Sequence, residues 1–300
     1  MGKQPHIVVI GGPTASGKSR FAVRVAHMLG CGIINADSRQ IYNEIAIGTA
    51  RPSEEEQAGI PHHLFGHKSI HDPYTVGIWQ QEVDQLITSS TSPYWVVVGG
   101  TGLYLRSLIE GLDDLPKTTP ETRQQIESLY QEKGIGALID YLKQHDPVTL
   151  EHLDQNNHRR LMRPIEIHLQ TGQTMAHLLA SSTKPAKPYT TQLFLPQLER
   201  EVLYNRINLR VDIMMEMGLL EEVKTYASEL GKIQALETVG YQEFAEYFHG
   251  EQSLEETLEL IKRNTRRYAK RQGTFFKRLP GTEVDFAMTN EELKNLLFPG

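Results

Sequence analysis

Residues 12–19 read Gly12, Pro13, Thr14, Ala15, Ser16, Gly17, Lys18 and Ser19, and few folds accept what surrounds them. Before them lies a short apolar run from His6, which stops at Gly11-Gly12 as a buried strand stops at a turn. After them Phe21, Ala22, Val25, Ala26 and Leu29 recur at three- and four-residue steps until Gly30, the pattern of a helix with one apolar face and a glycine C-cap. The eight residues fit G-x-x-x-x-G-K-[ST]. In that pattern successive backbone N–H groups and a helix N-terminus cradle a phosphate or diphosphate, the lysine adds a point charge, and the Ser19 hydroxyl can take Mg²⁺. A glycine-rich structural turn is the bland alternative; the strand before and the helix after favour the cradle.

The remaining pattern predicts where this unit sits. Strands are expected at about 32–36, ending at Asp37, and at about 94–98, ending at Gly99-Gly100, with helical stretches between them. Strands alternating with helices mean a parallel sheet, so the fold class read here is α/β: a P-loop NTPase-like core whose parallel sheet is flanked by helices. Residues 1–115 are taken as the first part of that core. Residues 116–185 contain no convincing strand, open with Thr119-Pro120 as N-cap and first-turn proline, and close in a proline-rich stretch. They are read as an all-helical insertion domain. Residues 186–300 then complete the core, with a returning strand at 193–195, and supply C-terminal helices that carry capping boxes at Ser253–Glu256 and Thr289–Glu292.

Composition narrows the partners. At 300 residues, about two domains are expected. The apolar runs fall far below the roughly 18 residues that cross a bilayer, and the N-terminal stretch lacks the apolar region of a signal peptide. Cys31 is the single cysteine, which excludes an intrachain disulfide and a cysteine-based zinc site. No membrane association, a cytoplasmic location and a monomer are expected. The net charge is −6, yet eight cations and no acid fall within residues 262–278. On a helix Arg263, Arg266, Arg267, Lys270 and Arg271 share one face. Such a strip on an acidic body suits docking to a nucleic-acid backbone, with Tyr268, Phe275 and Phe276 beside it able to pack or to stack on bases. Pairing with the chain's own acids is the alternative.

The expected chemistry gathers beyond the strand ends, where open α/β sheets bind ligands. Asp37 is a candidate general base there, or else a helix cap or water-mediated Mg²⁺ anchor. Thr101, in the turn after the third expected strand, could orient Asp37 or sit passively in a glycine-rich loop. That strand runs into GGTGLY and offers no second carboxylate for Mg²⁺, which weakens nucleotide hydrolysis. His62, His63, His67 and His71 invite a zinc reading, but a structural or substrate-lining loop is favoured. Arg159, Arg160 and Arg163 are either solvated or phosphate-grasping, and Arg210 is either a surface charge or a diphosphate clamp.

The segments GPTASGKS, INADSRQIYNEIAIGTARP, PHHLFG, VVGGTGLYLRSLIEGL, NNHRRLMRPIEIHLQTGQ, RINLRVDIMMEMGLLEEV, ETVGYQEF and RRYAKRQGTFFKR follow one another from about residue 6 to 278. In that order they resemble the motifs of the tRNA dimethylallyltransferase (tRNA isopentenyltransferase) family. The resemblance implies Mg²⁺-dependent transfer of a dimethylallyl group from dimethylallyl diphosphate to N6 of the adenosine immediately 3′ of the anticodon. It implies Asp37 as base on that amine, with Thr101 as its hydrogen-bonding neighbour and an RNA contact. Ser38, Arg39 and Gln40 would touch the tRNA anticodon stem-loop, as would Arg123 and the segment Asn157, His158, Arg159, Arg160 and Leu161. Thr14 to Ser19 with Arg210 would hold the diphosphate. Gly273, Phe275 and Pro164 depart from the family pattern, and with no cysteine after Cys31 the zinc finger of eukaryotic members is missing, so a bacterial type is indicated. The rival readings are a phosphate-loop kinase of a small metabolite or nucleoside and a non-catalytic RNA-binding module.

Overall fold

Ile7 and Val9 enter one apolar cluster while Val8 and Ile10 enter another, and all four are buried. A strand does this only when its sheet is covered on both faces. In the computed structural model, which describes residues 4–184 and 186–298, that strand is β1, His6–Gly11. The others are β2 (Ile33–Asn35), β3 (His62–His63), β4 (Tyr94–Gly99), β5 (Thr190–Pro196) and β6 (Thr282–Val284). They form one sheet in the order β3-β2-β4-β1-β5-β6, parallel throughout.

The helices in chain order are α1 (Lys18–Leu29), α2 (Glu54–Gln57), α3 (Val76–Ser89), α4 (Gly102–Glu110), α5 (Pro120–His145), α6 (Pro147–Glu151), α7 (His158–Thr171), α8 (Met175–Ser181), α9 (Arg200–Glu216), α10 (Leu219–Thr225), α11 (Phe244–Phe248), α12 (Leu254–Phe276) and α13 (Asn290–Leu297). Among the described residues no helix is long and apolar enough to cross a membrane. The chain divides into two compact units, Met1–Glu110 with Lys187–Gly300, and Gly111–Ala186.

In the first unit, one sheet face is covered by Trp79, Val83 and Ile87 of α3, Tyr104, Leu105 and Leu108 of α4, and Phe276 of α12. The other is covered by Phe21, Ala22, Val25 and Ala26 of α1 and Leu293 of α13. A further cluster joins Ile41 and Ile45 to Val211 of α9, Leu219 and Val223 of α10, Tyr241, Phe244 of α11 and Ile261 of α12. Gly30 caps α1 in the left-handed region as its sequence predicts, and both capping boxes form. The second unit holds α5–α8 around Ile126, Leu138, Leu142, Leu161 and Ile165. Thr119 caps α5, accepting from the Thr122 N–H, and Gly134 at φ 70° breaks that helix in two.

Two strands escape the sequence pattern. β3 is made by two of the four histidines read as a loop, and β6 lies in a region expected to be helical. Each is too short to carry a period; each is defined by pairing with a neighbour that is remote in sequence, β2 and β5 respectively.

Candidate active site

The strand order sets the site. From β1 the chain passes to β2 on one side of β4, while β5 returns on the other side of β1, so the loop after β1 lies at a reversal of strand order where ligands bind. The turns after β2 and β4 leave from the same end of neighbouring strands. They bring Asp37 and Thr101 to the loop.

Within the loop, Gly12 has φ 154° and a Cβ there would come 2.9 Å from the Pro196 ring, so only glycine fits. Ala15 at φ 61° and Gly17 at φ 89° complete the bend into α1. Ser16 is buried and its Oγ has no partner, an orphan that a phosphate oxygen would satisfy. Lys18 is 9% exposed and donates from Nζ to the Pro13 carbonyl at 3.3 Å. Burial pulls its pKa down to about 8, opposed by Asp37 and reinforced by Arg210. An ammonium held so far from water favours an arriving anion.

Asp37 is aimed by Asn35, a wholly buried amide. Asn35 Oδ1 accepts the Asp37 N–H at 2.8 Å, and its Nδ2 donates to the carbonyls of Asp37 and Leu64, both at 3.0 Å. The indole of Trp79 donates to the Asn35 carbonyl at 2.7 Å. Asp37 Oδ1 accepts the Arg39 N–H at 3.0 Å. Thr101 does not take up the expected bond to Asp37. Its Oγ1 accepts the Ser38 N–H at 2.9 Å and donates to Ser38 Oγ at 3.1 Å, so it fixes the backbone next to the carboxylate.

A cavity opens beside these groups. Thr14, Asp37 and the half-buried Arg210 are among its polar lining, and Ile207, Val211, Met214, Val239 and Ile261 line it with apolar side chains. Burial lowers the Arg210 pKa and Glu56 partly offsets this, while the guanidinium stays charged. Tyr268 also lines the cavity; burial and Asp37 push its phenol up to about 12, so it stays neutral. Gly48, Thr49 and Ala50 at the rim belong to a turn held by one carboxylate. Glu222 accepts the N–H groups of Ala46 and Ile47 at 2.9 Å and of Gly48 at 3.0 Å, and the Tyr241 hydroxyl at 2.5 Å.

Several residues expected to meet RNA are occupied within the protein. Arg39 donates to the carbonyls of Gln234, Ala235 and Glu237, and Gln40 to those of Thr49 and Ala50. On α12, Arg266 is partly buried and donates to Asn208 Oδ1 at 2.6 Å, whereas Arg263, Arg267, Lys270 and Arg271 are exposed. Phe276 lies in the core and so is not free to stack on bases, whereas Phe275 packs over Gly102 but is only partly buried and lines a surface pocket with Arg267, Lys270 and Arg271. In the second unit Leu161 is fully buried, which removes it as a surface contact. Asn157 is the N-cap of α7 and His158 stacks on Tyr130 at 4.5 Å. Arg163 is tied to Pro116, Thr118 and Glu166. Arg159 and Arg160 are exposed, as is Arg123, which lies 3.8 Å from Glu166.

Asn35, Glu222 and Gln272 were not singled out by sequence. Gln272 alone left a signal: a glutamine on the buried face of α12, which otherwise holds Thr257, Ile261, Ala269 and Phe276.

A phosphate loop at the sheet's reversal point, with a carboxylate and an apolar-walled cavity beside it, defines an α/β enzyme built around a phosphorylated ligand. The IPP transferase family profile matches residues 40–279, and the chain belongs to that family. It is 43% identical over 280 residues to the tRNA dimethylallyltransferase of Chlorobium chlorochromatii, covering 91% of this chain and 90% of that one. With the enzyme of the same name from Bacillus licheniformis it is 41% identical, covering 91% and 88%. Among solved structures, the full-length tRNA isopentenylpyrophosphate transferase of Bacillus halodurans superposes with TM-score 0.71 at 34% identity, covering 98% and 96%. A eukaryotic dimethylallyltransferase acting on tRNA gives TM-score 0.81 at 26% identity, covering 97% of this chain and 76% of that one.

Proposed function

We propose that this chain transfers the dimethylallyl group of dimethylallyl diphosphate to N6 of the adenosine immediately 3′ of the anticodon in tRNA, releasing diphosphate. The cavity carries the reading: Thr14 of the phosphate loop, Arg210 and Asp37 line it together with five apolar side chains. That combination suits a short allylic chain on a diphosphate, and the names of the relatives agree with it. A kinase of a small metabolite is not favoured by those relatives.

The allyl–oxygen bond breaks with carbocation character spread over three carbons, so the chain's main task is to stabilise the departing diphosphate. The loop amides, the orphan Ser16 hydroxyl, Lys18 and Arg210 would do this, with Ile207, Val211 and Met214 keeping water from the allyl group. Asp37 takes the proton as N6 becomes cationic, and Asn35 and Thr101 hold the backbone that aims it. Mg²⁺ would add charge stabilisation on the diphosphate. It suits the donors here, because it keeps several waters and needs only one or two hard oxygens, such as the Ser19 hydroxyl, which has no partner among the described residues. Arg263, Arg267, Lys270 and Arg271, with Arg123, Arg159 and Arg160 of the helical insertion, supply contacts to the RNA backbone. The reading takes the protein as a cytoplasmic monomer.

The test is incubation with Mg²⁺, dimethylallyl diphosphate and an unmodified anticodon stem-loop, followed by mass spectrometry of the RNA. A gain of one C5H8 unit on the adenosine 3′ of the anticodon is expected, and Asp37→Ala is expected to lower kcat about 10²- to 10⁴-fold. Phosphorylation of a small acceptor by ATP, with no change in RNA mass, overturns the reading.

A further inference from the structure

Gln272 lies on α12 among the exposed cations yet is itself only 6% exposed, and its amide is used at both ends. Its Oε1 accepts the Thr14 N–H of the phosphate loop at 3.0 Å, and its Nε2 donates to the Gly100 carbonyl at 2.8 Å. Gly100 is the residue before Thr101, whose hydroxyl holds Ser38 beside Asp37. A Cβ on Gly100 would meet Gln272 Nε2 at 2.4 Å, so the helix approaches this turn as closely as glycine permits. One side chain therefore bridges the turn after β1, the turn after β4 and the helix whose next turns present Arg267, Lys270 and Arg271 to solvent.

The chemistry suits an amide. A backbone N–H and a backbone C=O are met here by two different atoms of one group, Oε1 and Nε2, whereas a hydroxyl would have to serve both from a single oxygen. Asparagine would be a methylene short.

We propose that Gln272 is a positioning residue that couples the two substrates: by fixing α12 to the phosphate loop and to the Gly100–Thr101 turn, it makes RNA bound along α12 and diphosphate bound in the loop strengthen each other. The proposal rests on the transfer reading above for the identity of the RNA. Gln272 touches neither substrate; it acts through Thr14 and Gly100. Coupling between sites is reciprocal and typically changes affinity 5- to 150-fold.

The experiment is calorimetric titration of inorganic diphosphate with Mg²⁺ into the protein, with and without the unmodified stem-loop, for the wild type and Gln272→Met. Methionine keeps the length and loses both hydrogen bonds. For the wild type, diphosphate is expected to bind at least about fivefold more tightly when RNA is present. In Gln272→Met that ratio is expected to fall to about one, with the Kd for RNA alone unchanged within about twofold and the donor KM raised about tenfold. A purely structural role would weaken both ligands together and leave the ratio intact, and that result overturns the proposal. So does a wild-type ratio of one. If Gln272→Met does not fold, as read by circular dichroism, Gln272→Glu replaces it; its carboxylate keeps an acceptor for Thr14 but faces the Gly100 carbonyl, and the same loss of ratio is expected. Measuring C5H8 transfer by the wild type in parallel separates the two readings: transfer with an intact ratio in the variants sinks only the role of Gln272, and a ratio lost in the variants without wild-type transfer sinks only the reaction.

Discussion

Asn35 is completely buried and commits its amide to the backbone of Asp37 and Leu64. Replacing it by Ala leaves an N–H and two carbonyls without partners, each worth about 1–3 kcal/mol when buried. Asn35→Ala should therefore lower the urea midpoint and reduce kcat more than either KM, because the carboxylate loses its aim while the cradle stays. Unchanged kcat in a folded Asn35→Ala protein would detach Asp37 from Asn35. Cys31 gives a second expectation. Burial pushes its thiol up to about 12, so at pH 8 the thiolate, the reactive form, is depleted by roughly 10³ relative to a free cysteine. Iodoacetamide should label the native protein far more slowly than the urea-unfolded one, and equal rates would contradict the burial. The places of the loop and of Asp37 were legible in sequence, because a strand–loop–helix spacing marks the one and the end of the second expected strand marks the other. Asn35 and Gln272 were not, because their partners are carbonyls and amides supplied by other segments, and a backbone group leaves no mark in a sequence.

The period of α12 put five cations on one face, but not what that face meets. Asn208 of α9 takes the Arg266 guanidinium, and Lys262, one residue before the first of the five, is held by Asp212 at 2.8 Å. A helix thus presents fewer free charges than its sequence counts. Lys270→Ala should lower the salt slope of tRNA binding by about one, whereas Arg266→Ala should change it by less than half as much and should instead lower the melting temperature. Equal slopes for the two variants would mean that Arg266 releases Asn208 to reach the RNA. The same blindness affected the loop at 45–50. Its sequence was quoted among the motifs, yet the Glu222 carboxylate that gathers three of its N–H groups comes from α10. Glu222→Gln should destabilise the fold by about 2–3 kcal/mol, the scale for charge-assisted hydrogen bonds, and Tyr241→Phe by about 1 kcal/mol. Chemical denaturation of the two variants checks the order.

At the scale of the molecule, the two units each close an apolar core of their own. Leu161→Ala, in the core of the helical unit, should cost that unit about 2–5 kcal/mol. Hydrogen exchange should then accelerate across α5 and α7 while β1 and β4 keep their protection; uniform acceleration would mean that the units unfold as one. The helical character of the insertion was legible because capping residues and the lack of strand patterning are local signals. The full sheet was not, since its outermost strands have two and three residues. Their brevity has a consequence for the life of the protein in a crowded cell. The long apolar strands β1 and β4 lie inside the sheet, and β6 covers Phe194, Leu195 and Pro196 of β5, so the border open to a strand from a second molecule is confined to the short β3, β6 and residues 190–193. Shortening the chain to end before Thr282 would strip that cover from Phe194 and Leu195 and turn a self-limited sheet into a seed for aggregation.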